Sequence, residues 1–517
     1  MTERNGNAVD YFVDRHLRDG RGARLAFADP WRHLTYGELA AASARFAAGL
    51  RKAGIERERR IALVMLDTVD FPIAFWGALR AGVVPVPINT LLPPELTGYI
   101  LRDSRAAALF VSAPLLETMR AAVDGAGIAR VVVSAPDGGG GDFAAFLASG
   151  AAGSDAGPAE CSPDEVAFWL YSSGSTGAPK GVRHVHSSLR ATAETYGIGV
   201  LGIAADDLMF SVAKLFFAYG LGNSMTFPMA VGAASVLLPD RPTPDAVLAT
   251  MRAHRPTLYA GVPTLFAALL AHPEIGHGAG SDRLRRCISA GEPLPEHIGT
   301  RWRERVGCDI LDGLGSTEML HIFLSNRPDD IRYGTTGKPV PGYQVMIVDE
   351  TGQDVFDGEP GELIVSGPSA AEGYWNQREK SRRTFRGEWT HTGDTYTRDA
   401  DGYYRYNGRS DDMLKVGGIW VSPFEVEEAL IGHKAVLEAA VVGQPDEDRL
   451  IKPKAFVVLQ EAARGDNRSA LTAALQEHVK QRIGVWKYPR WIEFRDSLPK
   501  TATGKIQRYK LRDEGIP

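Results

Sequence analysis

Residues 171–181 are Tyr-Ser-Ser-Gly-Ser-Thr-Gly-Ala-Pro-Lys-Gly, and they directly follow the apolar stretch Val166–Leu170. That stretch predicts a buried strand, and α/β proteins commonly bind ligands where such a strand ends in a loop. Small residues let backbone N–H groups approach phosphate oxygens, while hydroxyls and Lys180 add hydrogen bonds and positive charge. The Walker spacing is absent, because Lys180 follows Pro179 and precedes Gly181. We predict a different kind of polyphosphate loop rather than a plain surface turn.

A segment near the end of the chain offers the same chemistry, and a third segment lies between the two. Residues 315–318 are Gly-Ser-Thr-Glu, and residues 499–505 are Pro-Lys-Thr-Ala-Thr-Gly-Lys. Each combines small residues with hydroxyls and a charged side chain, Glu318 in the first and Lys505 in the second. One such segment is a weak signal, but three in this order are strong evidence for a polyphosphate site.

Together these segments resemble the adenylate-forming superfamily, which contains acyl- and aryl-CoA ligases, stand-alone adenylation domains and luciferase-like enzymes. The resemblance extends from about Leu34 onward and includes residues 390–394, Thr-His-Thr-Gly-Asp, and the run from 408 to 427. Within the superfamily, residues 214–220 and 319–326 are most similar to benzoate-CoA ligases. The resemblance therefore implies an AMP-forming ligase that uses ATP, Mg²⁺ and CoA.

Length and periodicity predict more than one domain. A chain of 517 residues exceeds a single ordinary core, and helical and strand patterns alternate through its first half. We predict an α/β fold: a large N-terminal domain of layered α/β subdomains plus a small β subdomain, then a small mobile α+β C-terminal domain. The resemblance sets the limits at 1–408 for the AMP-binding domain, 409–412 for a hinge and 413–517 for the lid.

Local signals place individual elements. Thr35 and Glu38 form a capping box that predicts a helix through Leu50. Between Pro136 and Cys161 the chain is rich in Gly, Ala, Ser and Asp, which predicts a surface excursion with one short helix at Phe143–Leu147.

Composition limits the partners. A net charge of −5 without a basic stripe gives no reason to expect nucleic acid, and no uncharged segment reaches membrane-spanning length. Cys161, Cys287 and Cys308 are isolated in sequence and lack metal-ligand spacing, which favours a reducing cytoplasm over a disulfide framework. The polar N-terminus does not resemble a signal peptide.

The resemblance assigns a nucleotide role to many of these residues. The 172–180 segment holds the β- and γ-phosphates, two segments line the adenine, and Asp394 and Arg409 bind the ribose. Asp394 follows the strand-like Trp389–Thr390, in a Thr-Gly-Asp that by itself indicates a turn. Leu314 occupies a position often held by tyrosine, so it supplies an apolar face without an aromatic stack. The predicted ATP-binding residues are Ser172, Ser173, Gly174, Ser175, Thr176, Gly177, Lys180, Gly291, Glu292, Pro293, Asp312, Gly313, Leu314, Ser316, Thr317, Asp394 and Arg409.

Three residues are predicted to act on the reacting groups: Lys505, Glu318 and Thr317. Glu318 is the candidate Mg²⁺ ligand, since that ion prefers a carboxylate with phosphate oxygens and water; the alternative is an acidic residue at a helix N-terminus. By resemblance, Lys505 contacts the substrate carboxylate and the α-phosphate, where negative charge accumulates. His184 and His186 invite a metal interpretation, which we reject because no third ligand is apparent.

The remaining site residues follow from the benzoate-CoA ligase resemblance. It places the aromatic ring among Ala218, Tyr219, Gly315, His321 and Ile322, with Lys505 at the carboxylate. From the residues alone, the apolar runs at 216–219 and 322–323 are equally consistent with ordinary core. The resemblance also implies a rotation about Asp411, after which Lys415, Gly417, Gly418 and Ile419 admit CoA.

The expected reaction joins benzoate, or a close analogue, to CoA through an acyl-adenylate, with release of AMP and pyrophosphate. Alternatives are a hydroxy- or aminobenzoate ligase, a stand-alone aryl adenylation enzyme that loads a carrier protein, and a non-catalytic nucleotide-binding protein. Acylation of Lys505 would remove its charge, so a lysine acetyltransferase and a deacetylase are candidate partners. A homodimer is compatible with the sequence, which does not determine the oligomeric state.

Overall fold

The computed structural model describes residues 6–135, 137, 141–153, 156–172, 178–410, 412–416, 419–447, 450–465, 467–485, 487–500 and 506–513. The side chains of Lys415, Ile419, Trp420, Tyr509 and Asp513 lie outside this description as well. The chain divides into two compact units, Met1–Gln344 with Val365–Thr390, and Val345–Ile364 with His391–Pro517. The predicted limits at 408 and 413 stay predictions, and Asp411 lies outside the described residues.

The helices and strands are numbered here in chain order. The helices are α1 (Arg15–Arg18), α2 (Tyr36–Lys52), α3 (Asp70–Arg80), α4 (Pro94–Asp103), α5 (Ala113–Ala126), α6 (Asp142–Ser149), α7 (His186–Thr192), α8 (Ala218–Leu221), α9 (Phe227–Val231), α10 (Pro244–His254), α11 (Pro263–Ala271), α12 (Glu296–Val306), α13 (Arg378–Thr384), α14 (Pro423–Ile431), α15 (Arg468–Ile483) and α16 (Arg508–Asp513). The strands are β1 (Leu25–Ala28), β2 (His33–Thr35), β3 (Arg60–Val64), β4 (Val84–Pro87), β5 (Ala108–Ser112), β6 (Val131–Ser134), β7 (Val166–Ser172), β8 (Lys180–Val185), β9 (Leu208–Ser211), β10 (Ala234–Val236), β11 (Leu258–Gly261), β12 (Arg286–Ser289), β13 (Ile310–Gly315), β14 (Ile322–Ser325), β15 (Lys338–Pro339), β16 (Gln344–Val348), β17 (Gly361–Ser366), β18 (Gly373–Tyr374), β19 (Phe385–Arg386), β20 (Trp389–Arg398), β21 (Tyr404–Arg409), β22 (Leu414–Val416), β23 (Ile419–Val421), β24 (Val436–Pro445), β25 (Ile451–Leu459) and β26 (Trp491–Arg495).

The larger unit is built on three sheets. The principal sheet has the order β15-β14-β13-β12-β11-β9-β10-β1-β2 and is parallel from β13 to β1. A parallel sheet, β4-β3-β5-β6, and an antiparallel sheet, β18-β8-β7, accompany it. Parallel strands joined by helices are the arrangement that the alternating sequence pattern predicts. The register places Gly261, Ser289 and Asp312 in one row across β11, β12 and β13.

Local signals in the larger unit have two outcomes. The capping box is confirmed, because the Thr35 side chain accepts from the Glu38 N–H and α2 begins at Tyr36. The surface excursion is partly wrong. Although α6 coincides with the predicted short helix, Phe143 and Phe146 are buried, and the Phe146 ring lies 5.2 Å from that of Phe110. The polar, glycine-rich composition of the flanking residues did not predict this packing. Two buried phenylalanines are enough to attach a short helix to the core.

Cysteine placement also departs from the prediction of isolated residues. Cys287 lies in β12 and Cys308 lies two residues before the start of β13, and their sulfur atoms are 3.8 Å apart in the core. Parallel pairing of two strands brings these residues together across 21 positions of sequence. Within the described ranges, no helix is long and apolar enough to cross a membrane.

The smaller unit has a compact α+β region at its C-terminal end. β24 pairs antiparallel with β25, and β26 pairs parallel with β25 on the other side. Val426 and Leu430 of α14 and Leu475 and Val479 of α15 are buried against this sheet. In the same unit β20 and β21 are antiparallel. The predicted class is therefore confirmed: a large α/β region followed by a small α+β region.

Candidate active site

The polyphosphate segment connects two antiparallel strands. Ser172 ends β7, Lys180 begins β8, and the two residues are paired in the sheet. Residues 173–177 lie outside the described residues, so the predictions for Ser173, Gly174, Ser175, Thr176 and Gly177 stay predictions. Pairing with Ser172 fixes the backbone of Lys180 at the end of the loop.

Lys180 belongs to a three-residue cluster with Tyr374 and Glu318, which we call the phosphate triad. The Lys180 Nζ donates to the Tyr374 hydroxyl at 3.2 Å, and that hydroxyl donates to Glu318 Oε1 at 2.8 Å. The Lys180 ammonium and Glu318 Oε1 are 3.7 Å apart, and each side chain is 17% exposed. A cation and a carboxylate thus share one half-buried place, which suits a polyphosphate and its metal ion.

Sequence reasoning missed Tyr374, which pairs with Val182 through β18 and β8. No motif drew attention to Tyr374, because its partners are 56 and 194 residues away in sequence. The only signal was the neighbouring glycine, a residue that commonly marks a close backbone approach within a strand.

The turn that carries Glu318 is held from two neighbouring segments. The His184 Nε2 bonds to the Thr317 carbonyl at 2.8 Å, and the Ala371 N–H donates to the Glu318 carbonyl at 2.8 Å. Ser369 contributes a further bond to the Met319 carbonyl at 2.7 Å. Glu318 lies in a turn between β13 and β14, so the helix N-terminus interpretation is wrong.

The two histidines that invited a metal interpretation have structural contacts. Burial lowers the pKa of His184 to about 4, so its ring is neutral and Nε2–H donates to Thr317. His186 Nδ1 accepts from the Ala8 N–H at 3.2 Å. No cluster of three or more His, Cys, Asp or Glu side chains suited to a metal ion occurs in the part of the chain that the structure describes. Glu318 beside Lys180 still fits Mg²⁺, since this ion needs few protein carboxylates when phosphates and water complete its shell.

The predicted adenine segments lie at the ends of neighbouring strands. Gly291, Glu292 and Pro293 directly follow β12, while Asp312, Gly313 and Leu314 are within β13. The two segments are connected, because the Leu294 N–H donates to Asp312 Oδ2 at 3.4 Å. Asp312 is only 2% exposed, and burial raises its pKa to about 8 against the weaker effect of the Leu294 N–H. Leu314 pairs with Leu324 of β14.

The predicted aryl residues are brought together around His321. Its Nε2 lies 3.3 Å from the Tyr219 carbonyl, and the two rings are 5.6 Å apart. Gly315, the last residue of β13, is paired with Ile322, the first residue of β14. His321 directly precedes Ile322, at the end of the turn between these strands. Ala218 begins α8 beside Tyr219. Burial lowers the pKa of His321 to about 3, so the ring is uncharged.

Three further residues shape this place and were not predicted. The rings of Phe227 and Tyr196 lie 4.5 and 5.3 Å from that of His321. A Cβ at Gly222 would lie 2.4 Å from His321 Cδ2, so only glycine leaves room for the imidazole. Tyr219 is held in place by its hydroxyl, which donates to the carbonyls of Gly261 and Ile288 at 3.1 Å.

In the smaller unit, the predicted ribose residues face each other. Asp394 and Arg409 are opposite in β20 and β21, and Arg409 Nη1 donates to Asp394 Oδ1 at 2.9 Å. Although Thr-Gly-Asp by itself indicates a turn, β20 runs without a break from Trp389 to Arg398. Gly393 accounts for the turn-like sequence: its φ of +68° is a local irregularity inside the strand.

The CoA and catalytic-lysine predictions fall largely outside the described residues. Gly417, Gly418 and Lys505 are outside, and Lys415 and Ile419 are described only as backbone of the hairpin β22–β23. The flanks of the Lys505 segment are held together, because the Gln507 N–H donates to the Pro499 carbonyl at 2.8 Å. Next to it, Arg508 donates to buried Glu427 at 2.6 Å, a contact that sequence reasoning missed.

Comparison with known proteins identifies the family. The AMP-binding enzyme family matches residues 14–375, and the AMP-binding enzyme C-terminal domain matches residues 425–505. The chain belongs to this family, and the predicted resemblance to adenylate-forming enzymes is confirmed.

Similar proteins match nearly the whole chain. It is 54% identical over 516 residues to the 4-hydroxybenzoate–CoA/benzoate–CoA ligase of Rhodopseudomonas palustris, covering 99% of this chain and 95% of that protein. It is 53% identical over 508 residues to the benzoate–CoA ligase of Thauera aromatica, covering 98% and 95%. A crystal structure of a benzoate CoA ligase from Burkholderia xenovorans matches with a TM-score of 0.88 at 50% identity, covering 98% of this chain and 99% of that one.

The phosphate triad predicts a defect in nucleotide binding for Tyr374→Phe. Removal of the hydroxyl breaks the bond between the triad's cation and its carboxylate, and hydrogen bonds to charged groups contribute about 1.5 kcal/mol or more. The dissociation constant for ATP with Mg²⁺, measured by calorimetry, should therefore rise about tenfold. Tyr36→Phe, whose hydroxyl donates to the Ala233 carbonyl, is the matched control and should bind normally. Equal affinities in the two variants would contradict this role of Tyr374.

Asp312 predicts a pH-dependent stability difference. Between its ordinary pKa of 3.8 and about 8, the folded protein keeps the proton that the unfolded chain releases, so stability falls as pH rises through this window. Asp312→Asn cannot ionise and escapes this loss. The difference in free energy of unfolding, variant minus wild type, should therefore increase with pH by at most about 1.4 kcal/mol per pH unit. Chemical unfolding at pH 5, 7 and 9 measures this gain. Exposed Asp164→Asn is the control, and a gain that is the same at all pH values would refute the assignment.

Proposed function

We propose that this protein activates benzoate with ATP and transfers the benzoyl group to CoA, as an AMP-forming acid–thiol ligase. The observation that carries the proposal is the identity of 53–54%, over nearly the whole chain, to two proteins whose names include benzoate–CoA ligase. The neutral ring cluster around His321 and the adjacent turn with Glu318 support it, because they provide an apolar place beside a phosphate site.

In the first half-reaction, a carboxylate oxygen of benzoate attacks the α-phosphorus of ATP. The bond from that phosphorus to the oxygen bridging to the β-phosphate breaks, and pyrophosphate leaves with the electron pair. Lys180 neutralises charge on the β- and γ-phosphates, and Lys505 does the same for the substrate carboxylate and α-phosphate. Thr317, together with Ser316, donates hydrogen bonds to phosphate oxygens. When bound at Glu318, Mg²⁺ would screen the charge of the phosphate oxygens.

In the second half-reaction, the sulfur of CoA attacks the benzoyl carbonyl carbon. The carbon–oxygen bond to the phosphate breaks, AMP leaves, and the thiol proton passes to solvent. We assign the hinge to Asp411 within 409–412, so that the 413–517 lid removes Lys505 and presents Lys415, Gly417, Gly418 and Ile419 to CoA. The two consecutive glycines at 417 and 418 in the sequence support this assignment, because glycine suits a close approach to a narrow pantetheine arm.

Ring specificity follows from the buried rings around His321. The rings of Tyr196, Tyr219 and Phe227 lie 5.3, 5.6 and 4.5 Å from that of His321. We infer that a site bordered by these aromatic side chains favours a flat aromatic acid over a long flexible chain. A second candidate substrate is 4-hydroxybenzoate, because the relative from Rhodopseudomonas palustris is named for both acids. An added hydroxyl changes affinity in an apolar pocket by only about 1–3 kcal/mol.

Finer features belong to the same proposal. Asp394 and Arg409 bind the ribose, since a carboxylate accepts from sugar hydroxyls and a guanidinium donates to them. Lys505 is a control point that an acetyltransferase and a deacetylase would switch, because acetylation removes its charge. Three cysteines without a disulfide favour the cytoplasm.

A panel of carboxylates tests the function. Benzoate, its hydroxy and amino derivatives, and hexanoate are each supplied with ATP and with either CoA or a phosphopantetheinylated carrier protein. We expect the highest kcat/KM for benzoate with CoA, and no thioester on the carrier. Faster turnover of hexanoate, or transfer to the carrier alone, would overturn the proposal.

The role of Lys505 predicts a split between the half-reactions. Lys505→Ala should lower the rate of benzoyl-adenylate formation by about 10²–10³, as expected when a preorganised charge at a developing anion is lost. Thioester formation from supplied benzoyl-adenylate should be nearly normal. Lys500→Ala, which breaks only the ion pair with Glu438, is the control in both assays. Equal losses in the two half-reactions would disprove the assignment.

A further inference from the structure

The connection between β9 and α8, residues 212–217, carries the chain into the aryl site. It is irregular in backbone, and it ends directly before Ala218 and Tyr219. Leu215 and Phe216 within it are buried, with 0% and 5% exposure. Because an irregular segment has no ladder of its own, its position depends on the groups that bond to it from outside.

Asp67 bonds to this connection from another sheet. It follows β3 of the four-stranded sheet and is only 2% exposed. The Leu215 N–H donates to both carboxylate oxygens, at 3.2 Å to Oδ1 and 3.3 Å to Oδ2. A buried carboxylate thus satisfies a backbone donor 148 positions away in the chain.

Lys214, the preceding residue, is fixed in a different direction. Its ammonium donates to the Asp240 carbonyl at 2.7 Å and to the Leu238 carbonyl, both just beyond β10. Two consecutive residues of the connection are therefore attached to two different sheets, one through a side-chain cation and one through a backbone N–H. The segment is also held at Val212, whose N–H donates to the Ala260 carbonyl at 3.0 Å, so removal of either attachment would loosen the path to Tyr219 without freeing it.

The charges around Asp67 are few. Burial raises the pKa of Asp67 to about 6, while the Lys214 ammonium and the Leu215 N–H oppose that rise. Asp29 follows β1 and Asp70 begins α3, and both are engaged elsewhere. Asp29 accepts from the Val69 N–H at 2.9 Å, and Asp70 accepts from Arg32 at 2.7 Å and from Ser134 at 2.6 Å. Lys214 is thus the charged partner whose field bears on Asp67.

We infer that Asp67 is a positioning residue for the carboxylic acid substrate: with Lys214 it sets the 212–217 connection and hence the place of Ala218 and Tyr219. Asp67 acts through Leu215 and touches no reacting atom. The inference rests on the proposed function, since it assigns Asp67 to the aryl side of that site. The phosphate triad lies on other segments, so loss of Asp67 should affect the acid and not the nucleotide.

The test compares Asp67→Ala and Asp67→Asn with the wild type in benzoate-dependent exchange of pyrophosphate into ATP. Asp67→Ala leaves the Leu215 N–H without its acceptor, so the KM for benzoate should rise about tenfold. The KM for ATP should change less than about twofold, within the range of a distant, independent site. Asp67→Asn keeps a neutral acceptor and should give an intermediate KM.

Asp29→Asn is the control, because Asp29 is 3% exposed and also accepts backbone N–H groups, but from Trp31, Arg32 and Val69 and not from the 212–217 connection. It should change thermal stability without changing the KM for benzoate. A pH series gives a second readout. The wild-type and Asp67→Asn KM values should converge below about pH 6, where Asp67 becomes neutral, and diverge above it.

The outcomes separate the two proposals. If the wild type exchanges pyrophosphate with benzoate but Asp67→Ala raises both KM values equally, or neither, the inference about Asp67 is wrong. A merely structural role would lower the melting temperature and leave the ratio of the two KM values unchanged. If the wild type does not respond to benzoate at all, the proposed function fails instead.

Discussion

The contact among Lys180, Tyr374 and Glu318 joins the antiparallel sheet β18-β8-β7 to the turn between two strands of the nine-stranded sheet. A lysine and a glutamate that are each only 17% exposed attract each other, but both lose hydration and need further hydrogen-bond partners. The tyrosine hydroxyl resolves this by accepting from the cation and donating to the carboxylate. The arrangement prepares one place for both the negative charge of a polyphosphate and the positive charge of its metal ion. The other parts of the site are positioned relative to that turn.

Beside this charged place, the interior is kept neutral. Burial keeps the rings of His321 and His184 uncharged and Asp312 protonated near neutral pH, because desolvation disfavours the charged form of each. Under the proposed function, a flat aromatic acid would bind beside these rings with its carboxylate toward the cations. Changes around His321 would then leave the nucleotide site intact.

Local patterns predicted much of this structure. The capping box at Thr35 and the strand before Ser172 depend on neighbours in sequence, so they could be read directly. The aryl residues were predicted through resemblance, and the structure brings two of them, His321 and Tyr219, into contact. Tyr374, Asp67 and the Cys287–Cys308 approach could not be predicted, since their partners are separated by 21 to 194 residues. At α6 the predicted short helix is present, but the glycine-rich flanks did not predict that Phe143 and Phe146 attach it to the core.

A double-mutant cycle with Lys180→Met and Glu318→Gln tests the central claim most directly, with the dissociation constant for ATP in the presence of Mg²⁺ as the measured quantity. If Lys180 and Glu318 act as one unit, the double variant should bind ATP more tightly than the two single losses predict, with a coupling of about 0.5–3 kcal/mol. Repeating the cycle in a Tyr374→Phe background should shrink that coupling. Additive losses in the original background, within about 0.3–0.5 kcal/mol, would contradict the account.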